Sequence, residues 1–206
     1  MAAVLRADAR RNRDRIVAAA TTLLLDVGPD VALETVARTA GVGIGTLYRR
    51  FADRDALVRA VVVDALGVVR EDVRAAHGAG ERPWDALVRV LAWSPHLRVV
   101  LRLVDAVPPA EAAALGSDPD VRALRDEIVG MVDDLVRAAQ EEGTLRADVA
   151  TGDVVLLVSA VSRALPPGAG AENAYARAHA LVLDGLHTPA GHPLPGAPVR
   201  VDDLYA

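Results

Sequence analysis

Three features of the sequence predict an all-α fold. Nearly every segment repeats its apolar residues at a spacing of three or four, no stretch alternates strictly enough for a strand, and glycines and prolines fall between the periodic runs. The chain of 206 residues is 52% apolar and 25% charged, which fits a globular protein with a proper core rather than a disordered one. Aromatics are 3% with a single Phe, so Ala, Val and Leu must fill that core.

The first helix is expected over about 9–27, with Ile16, Ala20, Leu23, Leu24 and Val27 on one face and Gly28-Pro29 as its stop. A short helix follows at about 33–40, then the glycine-rich Gly41-Val42-Gly43-Ile44-Gly45 and a second short helix from Thr46 to Phe51. Asp53 is the expected N-cap of a long helix ending near His77, roughly 37 Å at 1.5 Å per residue. Helices are expected next at about 84–93 and 96–106, then a loop marked by Pro108-Pro109 and Gly116. Ser117-Asp118-Pro119-Asp120 is a capping signature for a helix reaching Glu142, with Val121, Leu124, Ile128, Met131, Leu135 and Ala138 as its apolar seam. Residues 153–165 are apolar nearly all round and end at Pro166-Pro167-Gly168. A last helix is expected over 171–186, and the proline-rich 188–206 reads as a loosely held arm. The domain boundaries this implies are 1–52, 53–187 and a tail at 188–206.

Charge is distributed unevenly. All 23 basic residues are Arg, and residues 1–60 hold ten of them against seven carboxylates, although the whole chain is at −5. A basic module joined to an acidic body is thereby suggested. The chain has no cysteine, which excludes disulfides and thiolate chemistry and fits a reducing, cytoplasmic setting. No apolar run reaches the ~18 residues of a membrane span, and the start lacks the pattern of a secretory signal.

Residues 33–51 read as a helix-turn-helix. Val36, Ala37, Ala40 and Val42 are expected to pack on Leu47, Phe51 and the first helix, leaving Thr46, Tyr48, Arg49 and Arg50 outward. Hydroxyls and guanidiniums suit phosphate oxygens and base edges, and backbone N–H groups opening the second helix add a phosphate site. The glycine run superficially matches a dinucleotide-binding loop, but it follows a helical pattern rather than a strand. A purely structural hairpin is the alternative from pattern alone.

The run Val36-Ala37-Arg38-Thr39-Ala40-Gly41-Val42, then Gly45-Thr46-Leu47-Tyr48-Arg49-Arg50-Phe51 and Asp53-Arg54-Asp55-Ala56-Leu57, resembles the signature of TetR/AcrR-type transcriptional regulators over about residues 10–62. The stretch Ala180–His187 with Pro193–Gly196 is similar to a subgroup with an SbtR-like C-terminal domain. The resemblance implies a homodimer with an N-terminal three-helix DNA-binding domain and a C-terminal helical domain that dimerises and holds a small-molecule effector. Carried onto this sequence, it implies that Tyr48 clamps a phosphate, that Thr46, Arg49 and Arg50 face the groove, and that Arg54 reaches the DNA backbone. Ile44 and Gly45 stand at the start of the reading helix, where Ile44 has only a methyl-bearing surface to offer. Arg11, with Arg10, Arg13 and Arg15, is a supplementary phosphate contact, whereas Glu34 would repel phosphate.

The expected function is a repressor released by its effector from a near-palindromic double-stranded operator. A ligand-dependent activator and a helical interaction module without DNA binding are the alternatives. Dimerisation is expected through the helices near 153–165 and 171–186. Trp84, Trp93, His96, Arg98, Arg102 and Met131 are expected to line the effector site, because such side chains are scarce in an Ala/Val-rich body. No cofactor, metal site or catalytic residue is expected: the five histidines lack ligand spacing, and Ser159 and Ser162 have no local base.

Overall fold

The structure, a computed structural model, describes residues 2–28, 30–92, 94–164, 170–189 and 191–204. Helices account for the regular structure among the described residues: α1 (Ala2–Asp26), α2 (Leu33–Thr39), α3 (Ile44–Arg50), α4 (Arg54–His77), α5 (Pro83–Val90), α6 (Pro95–Ala106), α7 (Pro109–Ser117), α8 (Pro119–Glu141), α9 (Thr151–Ala164), α10 (Ala171–Leu186) and α11 (Val201–Leu204). They form two compact units, Met1–Leu66 with Pro95–Val121, and Gly67–Ser94 with Arg122–Ala206.

In the first unit α1 buries Ile16, Val17, Ala19 and Ala20. The chain leaves the helix at Gly28, whose φ of 113° lets both Val27 and Gly28 amides turn back to the Leu23 carbonyl. Val27 therefore lies beyond the helix and is 72% exposed, not part of the buried face its spacing suggested. Asp53 caps α4 as expected, its Oδ1 accepting the Ala56 amide at 2.8 Å.

The segment expected as a loop after Pro108 is instead α7. Pro109 occupies the first helical position, where a missing N–H costs nothing, and Ala110 and Ala112–Ala114 then favour helix. Asp118 joins this region to α4: its carboxylate accepts Arg59 Nε at 2.6 Å and Nη2 at 3.0 Å, and it also caps α8 through the Asp120 and Val121 amides. Arg59 Nη2 bonds Asp120 as well, at 2.7 Å. The Arg59 guanidinium holds the Asp118 carboxyl below its ordinary value. A lowered carboxyl stabilises the fold above the unfolded pKa of about 3.9, and that contribution fades as pH falls below it. Asp118→Ala is expected to lower stability at pH 7 by about 1 kcal/mol from the lost cap, and by less at pH 3, measured by urea unfolding at the two pH values.

In the second unit α8 buries Val132, Leu135, Val136 and Ala139, so its inward line is wider than the expected seam, and Met131 and Ala138 sit half-buried at its edge. α5 buries Ala86 and Leu87 and ends at Val90. α9 and α10 begin and end near the expected limits; the expected stop at Pro166–Gly168 lies outside the described residues. α9 is not buried all round. Thr151, Gly152, Val154, Val158 and Ser162 face inward while Leu156 and Leu157 are exposed. The arm is not loose either: residues 191–204 are tied down by hydrogen bonds and by α11, which packs against α9.

Candidate nucleic-acid interface

The geometry of residues 33–51 follows from one glycine and a few apolar residues. Gly41, at φ 63°, closes α2: its amide bonds the Arg38 carbonyl at 3.0 Å and the Val42 amide reaches back to Ala37 at 3.0 Å. Two residues later Gly43, in extended conformation, opens α3. Val36, Ala37, Ala40, Leu47 and Phe51 are all buried, with Leu47 at 0% exposure, as the spacing predicts; Val42 is half-buried. Arg15 of α1 donates to the Gly41 carbonyl at 3.3 Å, and a Cβ on Gly41 would stand 2.5 Å from the Arg15 guanidinium. One cationic side chain thus braces the turn from behind.

With Leu47 pinned inward, the rest of α3 is turned to solvent. Tyr48 is 48% exposed, Arg49 and Arg50 are exposed, and Thr46 is half-buried. Arg49 Nη2 donates to the Thr46 hydroxyl at 3.0 Å, which sets both groups side by side. Ile44 is exposed, and beside it Gly43 and Gly45 have open space where a Cβ would be.

Other expected contact residues have protein partners. Arg54 Nη1 donates to the Val31 carbonyl at 3.0 Å, across 23 residues, so this side chain ties the start of α4 to the loop before α2. Arg11 is paired with Asp8 on an exposed turn of α1, and Arg13 with Asp14 at 3.4 Å.

The residues expected around an effector fall in both units. Trp84 meets the His187 ring edge-on at 4.8 Å, and Met131 is half-buried on α8. His96, Arg98 and Arg102 lie on α6; Arg98 is buried, and that burial together with nearby Arg102 lowers its pKa from the ordinary value. Arg102 donates to the Leu25 carbonyl at 3.0 Å. Trp93 lies outside the described residues. A cleft of about 270 Å³ in the first unit is lined by Asp55, Val58, Arg59, Val107, Glu111 and Leu115, among others. No spacing rule links residues some 60 positions apart, so the sequence held no signal for it. Tyr175 was missed for the same reason: its hydroxyl donates to the Leu91 carbonyl at 2.7 Å, and its ring stacks on His179. No group of three potential ligands arranged for a metal occurs among the described residues, and no described helix is long and apolar enough to cross a membrane.

A two-helix head with a buried Leu, a braced turn and an outward phenol beside two guanidiniums defines the helix-turn-helix class of DNA-binding proteins. Comparison with protein families matches residues 16–61 to the bacterial regulatory proteins of the tetR family, and residues 82–188 to the SbtR-like C-terminal domain of transcriptional regulators. A TetR transcriptional regulator from Streptomyces coelicolor is 30% identical, with 86% of this chain and 99% of that one covered and a TM-score of 0.64. A TetR transcription regulatory protein from Mycobacterium vanbaalenii is 27% identical, with 89% and 99% covered and a TM-score of 0.62. No curated protein matched. The chain belongs to the TetR family of DNA-binding transcriptional regulators.

Proposed function

We propose that the protein is a homodimeric repressor that grips a near-palindromic operator and lets go when a small molecule binds. The observation that carries this reading is the solvent-facing edge of α3, where Tyr48, Arg49 and Arg50 are exposed beside a fully buried Leu47. Two such heads in successive major grooves, about 34 Å apart, require a two-fold partner and an operator of matching symmetry. Support for a second copy comes from α9 and α10, which leave Leu156, Leu157 and Leu181 in water, Leu181 at 73% exposure. Paired with the same helices of a partner, these side chains would be covered.

Release requires an effector that favours one spacing of the two heads over the other; equal affinity for both would shift nothing. Support for ligand control is the cleft beside Asp55 and Arg59, because those residues lie in the opening turns of the helix that follows the reading head.

A gel shift with DNA flanking the gene, repeated across a salt series, tests the reading. With ~3–4 phosphates neutralised per protomer, log K is expected to fall against log[salt] with a slope of about −6. Retardation of no fragment at low salt would remove the repressor reading and leave a helical interaction module in its place.

A further inference from the structure

The last residues of the chain lie beyond both family matches, which cover 16–61 and 82–188. Four separate features of the second unit are nevertheless shaped to receive them.

The first is Arg146, whose side chain is 8% exposed although it is charged. It forks onto Asp148 through Nε at 2.6 Å and Nη2 at 2.8 Å, donates to the Gly185 carbonyl at the end of α10, and donates to the His192 carbonyl at 2.8 Å. The second is Asp148, which accepts the Leu194 amide at 2.9 Å; these bonds hold its carboxyl well below the usual range. The third is Asp153, near the start of α9. One of its oxygens caps the helix by accepting the Ala150 amide at 2.8 Å, and the same oxygen accepts the Val199 amide at 3.1 Å. The fourth is Gly152. A Cβ there would lie 2.3 Å from the Val199 carbonyl oxygen and 2.6 Å from the Arg200 carbonyl carbon, so the arm runs where any side chain would block it.

The arm's own sequence fits this role. Its two anchoring amides, Leu194 and Val199, each directly follow a proline, Pro193 and Pro198. Proline has no N–H to leave unpaired and restricts the free chain, which reduces the entropy lost on docking. Asp203 then turns the chain into α11 by accepting the Arg200 amide at 2.8 Å, and α11 packs against α9.

We infer that residues 191–204 are a strap that fixes the first turns of α9 and so presets the surface on which a second copy of the chain docks. The strap is independent of the dimer; the docking role rests on the homodimer reading above. Asp148, Gly152 and Asp153 are its positioning residues. The Asp148 carboxyl, held well below the usual range by Arg146 and the Leu194 amide, stays ionised at neutral pH and keeps that end of the arm fastened.

Two substitutions in the full chain test this without touching the exposed leucines. Val199→Pro removes the donor to Asp153 and leaves the Ala150 cap intact. Gly152→Ala ordinarily favours a helix, so on an unstrapped α9 it would stabilise; under the strap it must displace backbone. Readouts are protease cleavage within 189–204, amide exchange over Val154–Val158, and the dimer dissociation constant by sedimentation. Both variants are expected to expose the arm, speed that exchange and weaken the dimer by about tenfold, at unchanged helix content. In the full-length Val199→Pro background, where the arm is already freed from Asp153, adding Gly152→Ala is expected to slow exchange instead, the sign reversal that identifies the strap. An arm freed with the dimer constant unchanged would overturn the docking role. Unchanged exchange in both variants would overturn the strap itself. Should the unaltered protein be monomeric at every concentration, the homodimer reading fails; faster exchange in the variants would still uphold the strap.

Discussion

Arg50→Ala is expected to weaken operator binding by about ten- to a hundredfold for each protomer, the 1–3 kcal/mol typical of a lost guanidinium contact. The side chain is exposed and makes no bond to the described protein, so nothing in the fold depends on it and the melting temperature should stay put. Tyr48→Ala, one turn edge away and also largely in water, is expected to behave alike. A salt series separates the two roles open to Arg50. A phosphate contact lowers the slope by about two, about one from each protomer, and weakens all sequences equally, whereas a base contact relaxes the preference at one position of each half-site. Unchanged affinity in both variants would remove α3 as the reading helix.

Leu47→Ala, next to Tyr48, is expected to act through the fold instead. Leu47 has no exposed surface, and truncating such a side chain usually costs about 2–5 kcal/mol, part transfer and part cavity. The urea midpoint should drop sharply, and operator binding should fail because the head no longer holds its shape. Neighbours on a seven-residue helix would then divide cleanly into one that carries the fold and one that carries the contact. A mild loss of stability at Leu47 would mean that α3 is held from elsewhere.

The reading head was legible because its determinants are local. A glycine closing α2, apolar residues spaced at helical period and a capping Asp53 all act within a few residues, and the structure obeys each. The resemblance to a known family added roles that no periodicity contains. What escaped was non-local or ambiguous. Pro108-Pro109 reads as a break until the second proline is seen to occupy a helix start. The apolar perimeter of α9 says that something must cover it, not that Leu156 and Leu157 stay in water in the single chain. The bond from Arg54 to the Val31 carbonyl, 23 residues back, is a destination that no sequence pattern encodes. The arm looked loose because prolines commonly mark loose chain, yet the acceptors that fasten it lie some 46 residues earlier.

The bare opening of α3 has a consequence for what the protein can discriminate. Between two glycines without side chains, Ile44 is the sole projection at that end of the helix, and it can neither donate nor accept a proton. On the proposed docking of α3 in the major groove, that side chain can meet a base only through an apolar contact of the kind the thymine methyl offers.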